Sequence, residues 1–311
     1  MELRRLSEHV WACEQLPTGL GFSNSALVAR GGGVVVDTLY DDRLTREMAG
    51  LYAGVHPDAP RRVVNTHHDG DHCWGNQVFA GAEIIAHRGC AARFHAFAPA
   101  QAEAIRTMAD PPEHLREVAE DFAPFDFSGV VLTPPTTVVD GDVTLDLDGL
   151  RLDLLHVGPA HTEGDLVAHV ADEGVVVTGD VLFHGCAPIG WEGTTDRWIA
   201  ALARIEALEP EHVVPGHGPI CGVDGVAALR RYLQDVQSVA SAAWADGVPV
   251  LDACSRIDLG PYATWDDPHR LPATVHRVYR ECEGLAWDAP HDRGAVMADV
   301  RAFRSILAAR N

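Results

Sequence analysis

Short apolar runs separated by turn residues dominate the first ninety positions of the chain. They predict β-strands at residues 10–14, 26–30, 34–36, 62–65 and 83–87. Three glycines at 31–33 predict a tight turn before the third of these strands. That strand ends on Asp37, whose carboxylate either caps the helix predicted near residues 43–55 or supports a functional side chain nearby.

Residues 89–120 have a helical pattern broken at Pro99 and at Pro111-Pro112, which indicates a helical insert over about 89–128. The insert is rich in large apolar side chains, which serve either simple packing or one wall of a pocket. They are Phe94, Phe97, Met108, Phe122, Phe125 and Phe127.

The second half returns to strands, predicted at 130–132, 143–147, 150–157, 166–170 and 175–178. Helices follow at 196–208, 223–245, 273–283 and 294–310, with an irregular aromatic segment at 249–272. The pattern contains no internal repeat and no long linker. We therefore predict one α/β domain over 1–245 and a helical extension over 246–311 that packs on it.

The composition of the 311 residues, 47% hydrophobic and 22% charged, is that of a soluble globular protein. A net charge of −21 argues against binding to nucleic acid or to an anionic membrane surface, which requires clustered Lys and Arg. Seven scattered cysteines without a CxxC pair favour reduced thiols. The polar amino terminus and the lack of an apolar run of about 20 residues predict a cytoplasmic protein without a membrane span.

The stretch NTHHDGDHCWGN, residues 65–76, follows a predicted strand and is dense in metal-binding side chains. His67, Asp69 and Asp71 alternate and His72 is adjacent, so two residues can point at one ion and two at a second. Imidazole and carboxylate together suit zinc, iron or manganese better than calcium. The alternative is a polar turn with incidental histidines.

Three further strand ends carry a histidine or an aspartate. His161 lies in the loop GPAHTEGD, Asp180 follows the apolar run VVVTG, and His217 lies in the turn PGHG. Loops after strand ends hold functional groups on a fixed scaffold. Four such ends in one chain favour a metal site over coincidence.

Together these motifs resemble the metallo-β-lactamase fold superfamily, in which His-x-His-x-Asp-His is followed by a lone His, an Asp and another His. The resemblance covers about residues 8–245 and implies a four-layer αββα sandwich. It also implies two divalent transition-metal ions, with zinc as the preferred metal. The implied ligands are His67, Asp69 and His161 for one ion, Asp71, His72 and His217 for the other, and Asp180 as the bridge.

Asp69 departs from the family motif, which has a second histidine there. A carboxylate favours iron or manganese relative to three histidines, and the flavodiiron branch also has an acidic residue at this position. This chain has no flavodoxin-like portion to bind FMN. Alternatively, Asp69 turns away and leaves the first site weak. His68 is interpreted as a bystander.

The resemblance implies a metallohydrolase in which Asp71 and Asp180 orient a metal-bound hydroxide toward an ester, thioester or lactone. A polyketide cyclase or thioesterase, a diiron-type redox protein and a metal-poor binding protein are the alternatives. The expected partner is a small molecule, or an acyl or polyketide chain on a carrier. Cys73 and Cys221 are interpreted as packing thiols. Weaker candidates for substrate contact are Trp74, His184, Trp191, Tyr262 and Trp265.

Overall fold

The computed structural model describes residues 1–17 and 19–309. Its first sheet has seven strands in chain order, β1 to β7. Pairing is antiparallel from β1 to β4 and parallel from β4 to β7. The strands are β1 Glu2–Arg5, β2 Val10–Glu14, β3 Ser25–Val28, β4 Val34–Val36, β5 Arg62–Asn65, β6 Glu83–His87 and β7 Thr137–Val139.

The second sheet has five strands in the order β12, β11, β10, β9, β8. All its pairs are antiparallel except β11 with β12, which run parallel. Parallel pairing brings the carboxyl ends of β11 and β12 to the same edge. The strands are β8 Val143–Leu147, β9 Leu150–His156, β10 Leu166–Val170, β11 Val175–Phe183 and β12 His212–His217.

Ten α-helices lie in the described part of the chain. They are α1 Asp42–Ala53, α2 Gly70–Cys73, α3 Arg88–Arg93, α4 Pro99–Arg106, α5 Glu113–Phe122, α6 Thr195–Glu206, α7 Val223–Ala245, α8 Val250–Arg256, α9 Leu271–Cys282 and α10 Arg293–Ala308. Short 3₁₀ turns occupy Trp74–Phe79, Ala171–Glu173, Gly260–Thr264 and Pro268–Arg270.

Three apolar layers explain the αββα order. Alternate side chains of both sheets meet in a central core, for example Val36 and Val64 against Leu154 and Val177. The outer face of the first sheet packs on α1 and on the phenylalanines of the insert. The outer face of the second sheet packs on α6, α7 and α9. The predicted αββα fold class is therefore confirmed, with helices in the insert and in the carboxy-terminal region.

The insert and the extension meet each other. Helix α10 contacts α5, and α9 contacts α7. Arg301 Nε lies 2.7 Å from Glu113 Oε1 across the first of these contacts. This meeting of two segments far apart in sequence places a helical cover beside the ends of the strands.

The structure differs from the predicted elements in a few places. Residues 130–132 form no strand, because Val131 is 66% exposed and its N–H is bonded by the Gln77 side chain. Strands β1 and β7 were not predicted, and the segment 249–272 contains α8. Arg310, the last residue of the predicted helix 294–310, lies outside the described residues.

Candidate metal centre

The candidate metal ligands lie where strand ends of both sheets meet. His67, Asp69, Asp71 and His72 follow β5 and run into α2, and His161 lies between β9 and β10. Asp180 lies within β11 and His217 ends β12. Backbone hydrogen bonds join the sheets here, from Leu166 N to Thr66 O at 2.9 Å and from Asn24 N to Gly216 O at 2.8 Å.

One donor group comprises His67, Asp69, His161 and Asp180, with ligand atoms all within 4.8 Å of one another. Asp69 Oδ2 lies 3.7 Å from His67 Nε2 and 3.1 Å from His161 Nε2. Asp180 Oδ2 lies 3.9 Å from His67 Nε2 and 3.6 Å from His161 Nε2. Asp69 thus faces into the group and does not turn away from it.

A second donor group comprises Asp71, His72 and His217. His217 Nε2 lies 3.3 Å from Asp71 Oδ2, and His72 Nε2 lies 3.8 Å from the same oxygen. The other oxygen of Asp180, Oδ1, faces this group at 3.0 Å from His72 Nε2 and 3.4 Å from His217 Nε2. Each carboxylate oxygen of Asp180 therefore faces a different group.

Hydrogen bonds on the far side of three imidazole rings orient them. His72 Nδ1 donates to Asp37 Oδ2 at 2.8 Å, and His67 Nδ1 donates to Thr66 Oγ1 at 2.9 Å. Thr66 Oγ1 in turn donates to Asp37 Oδ2 at 2.7 Å. His217 Nδ1 donates to the Phe22 carbonyl at 3.2 Å. Because each Nδ1 carries the proton, the Nε2 lone pair of each ring is free to bind a metal ion.

Asp37 therefore supports the site, one of its two predicted roles. The cap of α1 is Asp41 instead, whose Oδ1 accepts from Leu44 N at 2.7 Å. Asp37 takes a positive φ of 62°, and its other oxygen accepts from Thr66 N at 2.7 Å. The position at a strand end was readable from the sequence, whereas its partners were not.

Unsatisfied buried atoms test whether these residues fit a metal. Among the described residues, His67 Nε2, His72 Nε2 and Asp180 Oδ1 are buried and form no hydrogen bond, although the last two atoms lie only 3.0 Å apart. Such atoms are costly to bury unless something binds them. They belong to neighbouring side chains at the junction of the two groups, so the donor set fits a pair of divalent transition metals.

Electrostatics at the site follow from burial and close contact. Burial opposes ionisation of Asp180, but His217 and His72 outweigh it and hold the pKa of its carboxyl well below the usual range. Burial also opposes protonation of His217, but Asp180 and Asp71 raise its pKa to about 9. Burial together with the neighbouring His72 lowers the pKa of His67 well below its ordinary value. The ionised carboxylate of Asp180 thus attracts cations, either protons on the neighbouring imidazole of His217 or metal ions.

Two features that support the site were not predicted from the sequence. Asp165, only 2% exposed, holds the loop of His161 through bonds from His161 N at 2.7 Å and Thr162 N at 2.9 Å. Gly216 lies so close to Asp180 that a Cβ atom there would collide with Oδ1. The motif HTEGD contained the signal for Asp165, since an aspartate four residues after a loop histidine can bond the loop backbone.

A cavity of about 450 Å³ opens over both donor groups. Its walls are mainly apolar and come from the insert, from the segment around residue 190 and from α10. Of the six insert side chains predicted for packing or a wall, Phe97 and Phe122 line it. Phe94, Phe125 and Phe127 are buried in packing, and Met108 is 38% exposed.

The predicted substrate contacts divide into two sets. Trp74 and Trp191 line the cavity. Tyr262 and Trp265 instead pack on Tyr232, with ring centroids 5.1 and 5.3 Å away. His184 Nδ1 donates to the Pro219 carbonyl at 2.7 Å. These three residues therefore do not line this cavity, because local packing and a backbone bond hold them elsewhere, and their contact with substrate stays a prediction.

The remaining residues of the motif also have defined positions. His68 lines the cavity, with Nε2 3.7 Å from Asp69 Oδ1 and 3.9 Å from Glu192 Oε1. Cys73 is a buried free thiol whose Sγ bonds the carbonyls of His68 and Asp69. Cys221 is a partly buried free thiol.

Two candidate metal-binding groups thus lie at the joined edge of an αββα sandwich, which is a metallohydrolase-like fold. The family model described as the metallo-β-lactamase superfamily matches residues 18–217, about two thirds of the chain. The chain belongs to this superfamily. No curated protein gives a significant match to the sequence.

Solved structures share the fold at low identity. A metallo-β-lactamase family protein of Thermus thermophilus superposes with a TM-score of 0.62 at 21% identity, covering 89% of this chain and 94% of that one. The sec-alkylsulfatase Pisa1 of Pseudomonas sp. superposes with a TM-score of 0.70 at 16% identity. The match covers 93% of this chain and 51% of the Pisa1 chain. The metallo-β-lactamase FIM-1 of Pseudomonas aeruginosa, in its mono-zinc form, superposes with a TM-score of 0.54 at 18% identity. The match covers 75% of this chain and 94% of the FIM-1 chain.

Among the described residues, no helix combines sufficient length with sufficient apolar character to cross a bilayer.

Proposed function

We propose that the protein is a metal-dependent hydrolase acting on an ester, thioester or lactone of a small, largely apolar substrate. The observation that carries this proposal is the position of Asp180, whose two carboxylate oxygens face two donor groups beneath one cavity. The proposed ions are two divalent transition metals. Zinc is the preferred metal, and iron or manganese are the alternatives because of Asp69.

One ion would be held by His67, Asp69 and His161. The other ion would be held by Asp71, His72 and His217, and Asp180 would bind both ions. Ions of this kind lower the pKa of a bound water and polarise a carbonyl group. Asp71 is 9% exposed and borders the cavity, so its carboxylate can accept a hydrogen bond from the attacking water. Asp180, lowered in pKa and likewise bordering the cavity, can orient the same water.

The walls of the cavity support the substrate class. Aromatic side chains from four parts of the chain, Tyr40, Trp74, Phe122 and Trp191, surround it. Such surfaces favour an aromatic or otherwise apolar body and exclude water from the reacting bond. Polar groups at the metal end would then fix the orientation of the carbonyl.

A metal-dependent cyclase or thioesterase for aromatic polyketide intermediates is the second candidate. The rings of Trp74 and Phe97, both in the cavity wall, are nearly parallel at 22° and 6.0 Å apart. Flat aromatic surfaces suit a flat, multi-ring product. In the cyclase reaction the metal end would stabilise an enolate during ring closure, without net addition of water.

The test is turnover of naphthyl esters, aryl thioesters and aryl lactones by protein loaded separately with zinc, iron or manganese. We expect hydrolysis of at least one class, reduced about 10²–10⁴-fold in Asp71→Asn, as for loss of a group that takes part in proton transfer. Cys221→Ser is the matched control and should retain activity. Loaded, folded protein that turns over none of these substrates would contradict the hydrolase proposal, and a cyclised product would favour the second candidate.

A further inference from the structure

A second polar cluster borders the same cavity. Its residues belong to other segments of the chain than the strand ends that carry the metal ligands. It consists of Glu117 and Asp121 on α5 and His269 in the turn Pro268–Arg270, and we call it the Glu117 cluster. The cluster forms where the insert meets the carboxy-terminal extension. The metal groups do not use any of its three residues.

The two oxygens of Glu117 have different surroundings. Oε1 accepts from His269 Nε2 at 3.0 Å and pairs with Arg304 Nη2 at 2.6 Å. Oε2 is buried and has no hydrogen-bond partner among the described residues. Arg301 Nη1 lies 3.8 Å from it, beyond hydrogen-bond distance. The Glu117 side chain is only 2% exposed, so this oxygen is a buried acceptor without a donor among the described residues.

The charge on Glu117 favours a ligand that donates a hydrogen bond to it. Burial opposes its ionisation, but the hydrogen bond from His269 and the charge of Arg304 outweigh it and lower its pKa. An ionised carboxylate oxygen left without a donor is costly in a buried site. Because Arg304 and Arg301 already lie beside it, the cluster needs a neutral donor and not another cation.

The adjoining carboxyl has a related property. Burial raises the pKa of Asp121 to about 7, so part of its population is protonated near neutral pH. A protonated carboxyl can donate as well as accept a hydrogen bond. A hydroxyl group has the same dual capacity and is neutral, so it matches both carboxyls.

We propose that Glu117 Oε2 accepts a hydrogen bond from a hydroxyl group carried on the aromatic body of a ligand in this cavity. The Glu117 cluster is then a specificity site for alcohols or phenols, separate from the metal groups. This extends the proposed function and rests on it for the identity of the site as a substrate cavity. The aromatic wall supplies the ring contact, and the unpaired oxygen Oε2 supplies the selection.

The experiment compares 2-naphthol with 2-methoxynaphthalene, which has the same ring system but no hydroxyl donor. Binding is measured by quenching of tryptophan fluorescence, since Trp74 and Trp191 line the cavity. We expect 2-naphthol to bind about tenfold more tightly, as for a hydrogen bond to a charged acceptor. Equal affinities in the native protein would show that Oε2 does not select a hydroxyl and would overturn the inference.

Glu117→Gln identifies the acceptor. Its amide oxygen should remain toward Arg304, which puts the amide NH₂ in the position of Oε2 and turns an acceptor into a donor. The preference for 2-naphthol should then fall to about twofold or less. Glu120→Gln is the matched control. Glu120 lies on the same helix beside the same two arginines at 3.8 and 3.7 Å, but it is 60% exposed and outside the cavity wall.

The same measurement on chelator-treated protein excludes binding of the naphthol oxygen to metal. A preference that persists after metal removal supports the inference, and one that disappears overturns it. Where Glu117→Gln does not fold, a structure of the native complex decides. A naphthol oxygen farther than about 4 Å from Glu117 would contradict the inference. Absence of hydrolysis with an intact naphthol preference would count against the proposed function alone.

Discussion

Nε2 of His161 lies 3.1 Å from Oδ2 of Asp69, so the residue that departs from the family motif still points at the other members of its donor group. Asp69 is 35% exposed at its side chain, whereas His161 is almost completely buried. The carboxylate thus reaches in from the cavity side, where its negative charge adds to that of Asp180. Its effect on the metal should be measurable.

We predict that Asp69→His gives a site with higher affinity for zinc relative to manganese, because imidazole replaces a harder anionic oxygen. The net charge of the two groups rises by one, which lowers the pKa of a bound water. If the native protein is hydrolytic, the acid limb of its pH–rate profile should move to lower pH. Metal analysis and pH–rate profiles of both forms check this, and an Asp69→Ala form with unaltered metal content and profile would remove Asp69 from the site.

We predict that Asp180→Ala lowers the occupancy of both metal positions, because each donor group loses one of its oxygens. Cys221→Ser is the control and should leave the metal content unchanged, since this thiol belongs to neither group. Metal content per chain, measured after equilibration with zinc, is the readout. Full occupancy in Asp180→Ala would show that this carboxylate does not bridge.

We predict that Asp37→Ala weakens metal binding about 10–100-fold, the usual effect of removing the partner that orients a histidine ligand. His72 and Thr66 both lose their acceptor. Asp41→Ala is the matched comparison, because it removes the cap of a neighbouring helix. That change should cost about 0.5–2 kcal/mol of folding free energy and leave metal affinity nearly unaltered. Similar metal affinities in the two variants would contradict the assigned role of Asp37.

We predict that metal affinity rises with pH up to about 9. Asp180 and Asp71 outweigh burial and raise the pKa of His217 to about 9 in the metal-free protein, so this imidazole is protonated at neutral pH. A metal must displace that proton, and the apparent affinity should rise about tenfold per pH unit for each proton released. Above pH 9 the contribution of His217 should level off. Titration with zinc at several pH values tests this, and an affinity that does not change between about pH 6 and 8 would rule it out.

The sequence alone indicated the fold class and the set of candidate ligands. Apolar runs ending on polar residues predicted most strands, and β2, β4, β5, β6, β8 and β10 have the predicted bounds. These features are local, because the strand pattern and the loop chemistry each depend on about ten consecutive residues. The strand predicted at 130–132 does not form, because its apolar run is exposed at Val131, and β11 continues past its predicted end to Phe183.

Only the tertiary structure decided which partners those residues meet. The sequence left Asp37 open between a cap and a support, and packing of β4 beside β5 brought it to His72, 35 residues away. Glu117 drew no attention in the sequence, because His269 lies 152 positions further along the chain and Arg304 lies further still. Long-range contacts of this kind depend on how the insert and the extension fold together, and no periodicity within either segment encodes them.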